Sequence, residues 1–186
     1  SFLAQLGDDE IPVCAPLPFP DGRTLHSFED IFFAVWRRTG GRVRDELGDD
    51  DLRSLGRLIA RIHNTGASKK APHRLTLSPE NFIEKPAAFL DEKRFLPPHC
   101  RVRFIDAASE VASIYRSLLS DVPLHRIHGD CHMGNLLHGP DGWFFLDFDD
   151  FVNGPAVQDI WMLAPAMDRE GARQRDVIIE GYRDFR

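Results

Sequence analysis

His128-Gly129-Asp130-Cys131-His132-Met133-Gly134-Asn135, followed shortly by Phe144-Phe145-Leu146-Asp147-Phe148-Asp149-Asp150, is the part of this chain that decides its reading. The first run sets Asp130 and Asn135 in one glycine-containing loop, in the spacing H-x-D-x-x-x-x-N. The second closes an apolar strand with a cluster of acids. Between them, Leu136 to His138 is a short apolar run, Gly139-Pro140-Asp141-Gly142 is a dense turn signal, and Trp143 to Leu146 is rich in aromatics. This pattern predicts an antiparallel hairpin that brings Asn135 beside Asp147. Alternation along the strand then points Asp147 and Asp149 the same way and Phe148 into the core. Asp150 points away, as a solvated residue or a local cap.

These residue types suit phosphoryl transfer. One carboxylate must accept the proton of an attacking hydroxyl, and hard oxygen ligands must hold the Mg2+ that neutralises nucleotide phosphates. Asp130 is the candidate base. Asn135 and Asp147 are the candidate Mg2+ ligands, because an amide oxygen and a carboxylate suit magnesium better than nitrogen or sulfur does. Asp149 is a candidate support for the metal.

The segments HGDCHMGN, LDFDD and NGPAVQDIWML resemble the aminoglycoside phosphotransferase and choline kinase superfamily, and within it the bacterial stress response kinase A family, described as serine/threonine protein kinases. Supporting stretches are Asp9 to Pro16, Phe32 to Arg42 and Gly56 to Gly66, so the likeness spans nearly the whole chain. The resemblance implies an α+β, protein-kinase-like fold: an incomplete small β lobe, then a mostly helical large lobe carrying the catalytic-loop hairpin. It implies that residues 1–41 are a remnant of the nucleotide-binding lobe and hinge, and that residues 42–186 are the catalytic lobe. Phe33 to Arg38 would be the hinge, with Val35, Trp36 and Arg37 meeting the adenine of ATP. His128 would pack and hydrogen-bond within the loop, and Asp159 would hydrogen-bond the loop backbone. A first-turn acid complementing the helix dipole is the plainer role for Asp159.

A length of 186 residues suffices for one ordinary domain, or one lobe with part of another. A formal net charge of -6 provides no electrostatic footprint for nucleic acid or an anionic membrane. The pairs Arg37-Arg38 and Lys69-Lys70 read as surface. No apolar run reaches the length of a membrane span, and no signal-peptide pattern opens the chain. Cys14, Cys100 and Cys131 lack a paired spacing, which favours a reducing, cytoplasmic setting over a disulfide framework. The oligomeric state is left open, a monomer being compatible.

Ser1 to Leu6 reads as the end of a helix closed by Gly7. Ile11 to Pro20, with four prolines, must be extended. Arg23 to Phe28 and Asp30 to Trp36 read as paired strands. Asp49-Asp50-Asp51 opens a helix in which Leu52, Leu55, Leu58, Ile59 and Ile62 recur at helical spacing up to Gly66, and His63 reads as a surface or helix-end residue. Ser78-Pro79 caps another helix, which Pro86 should kink. A third helix carries Val102, Ile105, Ala108, Val111, Ala112, Tyr115, Leu118 and Leu119 on its apolar face. Asn153-Gly154-Pro155 reads as a turn into a helix, and Glu170 to Arg186 as a last amphipathic helix.

Zinc is disfavoured: His128, Cys131, His132 and His138 present neither a Cys-x-x-Cys pair nor one helical face. The reactivity of the Cys131 thiol, beside the base, depends on its surroundings. Metal-dependent phosphoesterases use similar Gly-Asp and Gly-Asn segments, but they need Asp-x-His and Asn-His partners that this chain lacks. The sequence shows no glycine-rich loop, no P-loop and no phosphate-binding lysine strand. A kinase truncated at both ends and a degenerate kinase serving as a binding module both fit that, and truncation is preferred because Asp130, Asn135 and Asp147 stand together. The acceptor is a protein Ser or Thr hydroxyl by resemblance, or a small hydroxyl compound such as an aminoglycoside, choline or homoserine.

Overall fold

Three carboxylates, Asp49, Asp50 and Asp51, fill the first turn of helix α2 (Asp49–Ser68), where they meet unpaired backbone N–H groups. In the computed structural model, which describes residues 1–44 and 46–186, α2 is the central helix of the hydrophobic core. Its stripe of Leu52, Leu55, Ile59 and Ile62 is buried. Against it lie α1 (Phe2–Asp8), through Phe2 and Leu6, and α6 (Arg169–Tyr182), through Val177 and Ile178. Helices α2 and α6 run side by side in the same direction and meet at glycines: a Cβ on Gly56 would lie 2.1 Å from the Ile178 carbonyl oxygen, and one on Gly181 would lie 2.1 Å from that of Arg53. Arg53 with Glu180, and Arg57 with Asp184, pair at the rim of this contact.

Three two-stranded antiparallel sheets complete the α+β architecture. Strands β1 (His26–Phe28) and β2 (Ile31–Phe33) form a hairpin around Glu29 and Asp30, whose φ angles are 47° and 63°. Two left-handed residues give the turn that matches strand twist, although glycine or asparagine usually fills it. The strands are shorter than the sequence pattern suggests, because Trp36 leaves β2 to bridge Pro16 in the extended proline-rich segment. That segment also bonds to the hairpin of β4 (Leu136–Gly139) and β5 (Gly142–Phe145), through Cys14 N–H to Phe145 O and Phe145 N–H to Pro12 O.

Strand β3 (His125–Ile127) pairs with β6 (Val152–Gly154), which corrects the reading of Asn153-Gly154 as a turn. Gly154 is there for close packing: a Cβ would meet Ile127 Cδ1 at 2.7 Å. Pro155 then leads into α5 (Val157–Leu163). The expected break at Pro86 takes the form of a π-helical turn, Glu80–Glu84, just before α3 (Lys85–Glu92). Helix α4 (Arg101–Leu119) forms over its expected length, but among its residues only Ala112 is buried. Val102, Val111 and Leu118 are exposed, since α4 packs mainly on α3 and the π turn.

Candidate active site

The loop that carries Asp130 hangs on one buried acid. Strand β3 delivers the backbone N–H groups of His128 and Gly129 to Asp159, which accepts them at 2.9 Å on Oδ2 and at 2.9 Å on Oδ1. Gly129 makes this possible with φ of 89°, a conformation that favours glycine. His63, fully buried, places Nε2 2.9 Å from Asp159 Oδ2 and Nδ1 2.9 Å from the Tyr182 hydroxyl. A carboxylate only accepts, so the hydrogen of the first bond sits on His63 Nε2. Burial pushes the Asp159 carboxyl up, but the His63 hydrogen bond, the nearby His63 and His128 rings and the Gly129 N–H together hold it below the ordinary value. Asp159 therefore stays ionised as a three-donor anchor.

The surface reading of His63 is thereby overturned. The residue stands four positions after Ile59, on the buried stripe of α2, and that spacing was the available signal. Arg126 is a buried cation that no sequence pattern marks. Its guanidinium donates to the Gly66 and Thr65 carbonyls at the end of α2 and to Gln5 Oε1, which ties β3 to two helices.

Within the loop, His128 Nε2 donates to Leu146 O at 2.7 Å, Nδ1 accepts the Asp130 N–H at 3.3 Å, and the ring packs at a tilt against Phe148. Asn135 spends its Nδ2 on Asp130, 2.9 Å from O and 3.2 Å from Oδ2, and its amide oxygen takes no hydrogen bond among the described residues. Leu146 N–H reaches Asn135 O at 2.9 Å, so the hairpin sets Asn135 against the residue before Asp147. Strand alternation is not what orients the acids. Strand β5 ends at Phe145, and Asp147 turns the chain with φ of 51°, burying Phe148 while Asp147 and Asp149 stay exposed. Left-handed backbone costs a non-glycine residue on the order of 1 kcal/mol, and such strain concentrates at functional sites.

Asp147 and Asp149 line an open cavity of about 700 Å³ together with Cys14, Trp36, Arg37, Thr39, Leu137 and Phe148. Trp36 and Arg37 of the expected hinge face it. Val35 does not line it, and its carbonyl accepts the Leu17 N–H at 2.7 Å. Arg74, passed over in the sequence, stacks on Phe151 at 3.9 Å and donates to the Asp149 carbonyl at 2.8 Å, bracing the acidic segment.

Among the described residues, the Asp147 and Asp149 carboxylates make no hydrogen bond or ion pair, and no three His, Cys, Asp or Glu side chains converge closely enough to hold a metal. A hard cation here would depend on the Asn135 amide oxygen as well as carboxylates, and that donor set fits magnesium. Cys131 is fully buried, and burial, then the Asp159 and Asp130 charges, raise its pKa well above the ordinary value, so the thiol is inert.

The model of the Phosphotransferase enzyme family matches residues 1–186. Stress response kinase A of Escherichia coli (strain K12) is 37% identical over 185 residues, which is 99% of this chain and 56% of that protein. Serine/threonine protein kinase RdoA of Salmonella typhimurium is 33% identical over 184 residues, 98% of this chain and 56% of that protein. The chain thus spans about half the length of these curated relatives. Among solved structures, amicoumacin kinase hAmiN in complex with AMP-PNP, Ca2+ and Ami superposes with a TM-score of 0.78 at 18% identity, over 99% of this chain and 60% of that one. A microcompartment-associated aminopropanol kinase gives 0.67 at 22% identity, over 100% and 63%. At such identities the structural likeness speaks for the fold. With the family model matched over residues 1–186, the chain belongs to the phosphotransferase enzyme family and has its protein-kinase-like fold.

Proposed function

We propose that the protein transfers the γ-phosphoryl group of ATP to a hydroxyl, with Ser and Thr side chains of other proteins as acceptors. The observation that carries this reading is the bond from Asn135 Nδ2 to Asp130, which ties the candidate base to the candidate Mg2+ ligand and leaves the Asn135 amide oxygen without a hydrogen bond among the described residues. Residues 1–41 are then the part of the nucleotide-binding lobe and hinge that the chain holds, and residues 42–186 are the catalytic lobe. The protein acceptor is favoured by the names of the relatives at 33–37% identity, stress response kinase A and serine/threonine protein kinase RdoA. Three free cysteines suit a cytoplasmic setting, where ATP is plentiful.

Asp130 takes the proton from the acceptor hydroxyl as its oxygen bonds to the γ-phosphorus, and the bond to the β-phosphate oxygen breaks to release ADP. A positioned base of this kind contributes about 10²–10⁴-fold. Asn135 and Asp147 would hold Mg2+, with Asp149 in support, and bound magnesium would offset the phosphate charge. Trp36 and Arg37 wall the cavity on the nucleotide side, and Val35 contributes backbone to the same segment. Asp159, His63 and Tyr182 keep the loop in place.

The test is transfer of labelled γ-phosphate from Mg·ATP by the full-length protein, offered protein acceptors in one arm and aminoglycosides and amino alcohols in another. Labelled protein, absent with Asp130→Ala, is the expected result. Label only on a small molecule would move the acceptor class, and neither transfer nor magnesium-dependent ATP binding would leave a binding module.

A further inference from the structure

His132 belongs to the same loop but has no part in the chemistry so far. Its ring is nevertheless held in one orientation. Nδ1 accepts the Gly134 N–H at 2.9 Å, capping the 3₁₀ turn Met133–Asn135 that delivers Asn135. A ring nitrogen that accepts an N–H carries no hydrogen, so the ring hydrogen of the neutral imidazole lies on Nε2. Nε2 lies 3.5 Å from Asp130 Oδ2, the same oxygen to which Asn135 Nδ2 donates at 3.2 Å. The separation is long for a hydrogen bond, and such contacts tighten when substrate closes a site.

Gly134 makes room for this arrangement. A Cβ there would stand 2.7 Å from His132 Cε1 and 2.9 Å from Nδ1, so any larger residue displaces the ring. Two further backbone bonds, His132 N–H to Asp130 O and Asn135 N–H to His132 O, both at 2.9 Å, lock the three residues together. Both side-chain donors thus converge on Oδ2, while Asp130 Oδ1 accepts no hydrogen bond among the described residues.

We infer that His132 is a positioning residue for the base: with Asn135 it holds Asp130 Oδ2 and so presents Oδ1 to the acceptor hydroxyl. This rests on the phosphotransfer reading above. It gives His132 a role different from metal binding and from the packing role of His128, and it makes Gly134 part of the same device.

Transfer from Mg·ATP by the full-length protein is compared for wild type, His132→Ala, His132→Gln, Gly134→Ala, the His132→Ala/Gly134→Ala pair and Asp130→Ala. Misplacing a base by a fraction of an ångström predicts a fall in kcat of about 10- to 100-fold for His132→Ala, with KM for ATP changed less than about threefold. His132→Gln, which keeps a side-chain N–H on that side, recovers about fivefold or more of the loss. Gly134→Ala resembles His132→Ala, and the double variant is no worse than the poorer single one, as expected of two residues acting through one contact. A kcat for His132→Ala within about twofold of wild type, while Asp130→Ala abolishes transfer, would overturn the inference and leave the base intact. So would a Gln variant no better than Ala, or losses matched by weaker Mg·ATP binding and a lower melting temperature. Full transfer by Asp130→Ala would instead sink the underlying reading.

Discussion

Asp159 gathers three donors, the His128 and Gly129 N–H groups and His63 Nε2, on one buried carboxylate. An amide in its place has a single acceptor oxygen, and its NH2 faces a donor. Asp159→Asn is therefore expected to cost about 3 kcal/mol in urea unfolding and to lower kcat through disorder of the loop. Wild-type stability on this oxygen pair should persist above the ordinary carboxyl pKa of 3.8 and fade as pH falls below it, because the folded value is lower still. His125 works in another window. Burial first, then the His63 and Arg186 charges, lower it from 6.5 to about 4, and neither ring nitrogen finds a partner among the described residues. The unfolded chain therefore binds the extra proton between these values, and stability should drop as pH falls from 6.5 to 4. The drop is expected to be about 2 kcal/mol once solvent screening is allowed for, and His125→Phe should flatten it in melting curves taken across that range.

At the scale of elements, the crossing of α2 and α6 depends on two small residues rather than on the ion pairs at its rim. Gly56→Ala or Gly181→Ala forces helix backbones apart, and either should lower stability by about 2 kcal/mol, more than removing Arg57 or Glu180 from the exposed rim, as thermal or urea melts would show. Helical spacing made α2, α4 and α6 legible in the sequence, and Gly139-Pro140-Asp141-Gly142 announced the hairpin of β4 and β5. Other elements were not legible because their cause is remote. Asn153 and Gly154 look like a turn locally, yet β3 recruits them as a strand, and the β1 and β2 hairpin, expected from the sequence, is shorter than read because Trp36 pairs instead with Pro16. Periodicity also says nothing of what lies opposite a face, so α4 forms as read while its apolar side stays exposed.

For the whole molecule, the loop of Asp130 and Asn135 was legible because its residues are neighbours in sequence, and Asp159 as its backbone anchor was expected from the family resemblance, whereas His63 and Tyr182 were not, since they meet Asp159 only when α2, α5 and α6 pack. Likewise, the acids at 147 and 149 could be picked out by type, but the left-handed turn that exposes them and the bracing by Arg74 arise from tertiary contacts. The central claim is a division of labour: Asp130 acts on the proton, and Asp147 acts on the cation. Its most direct test is Mg2+-dependent ATP binding and phosphoryl transfer measured side by side on the full-length protein for wild type, Asp130→Ala and Asp147→Asn. The expected result is that Asp130→Ala binds Mg·ATP within about threefold of wild type while transfer falls by about 10²-fold or more, and that Asp147→Asn loses the magnesium dependence of binding itself. Magnesium-dependent binding that survives Asp147→Asn, or transfer that survives Asp130→Ala, would contradict the account.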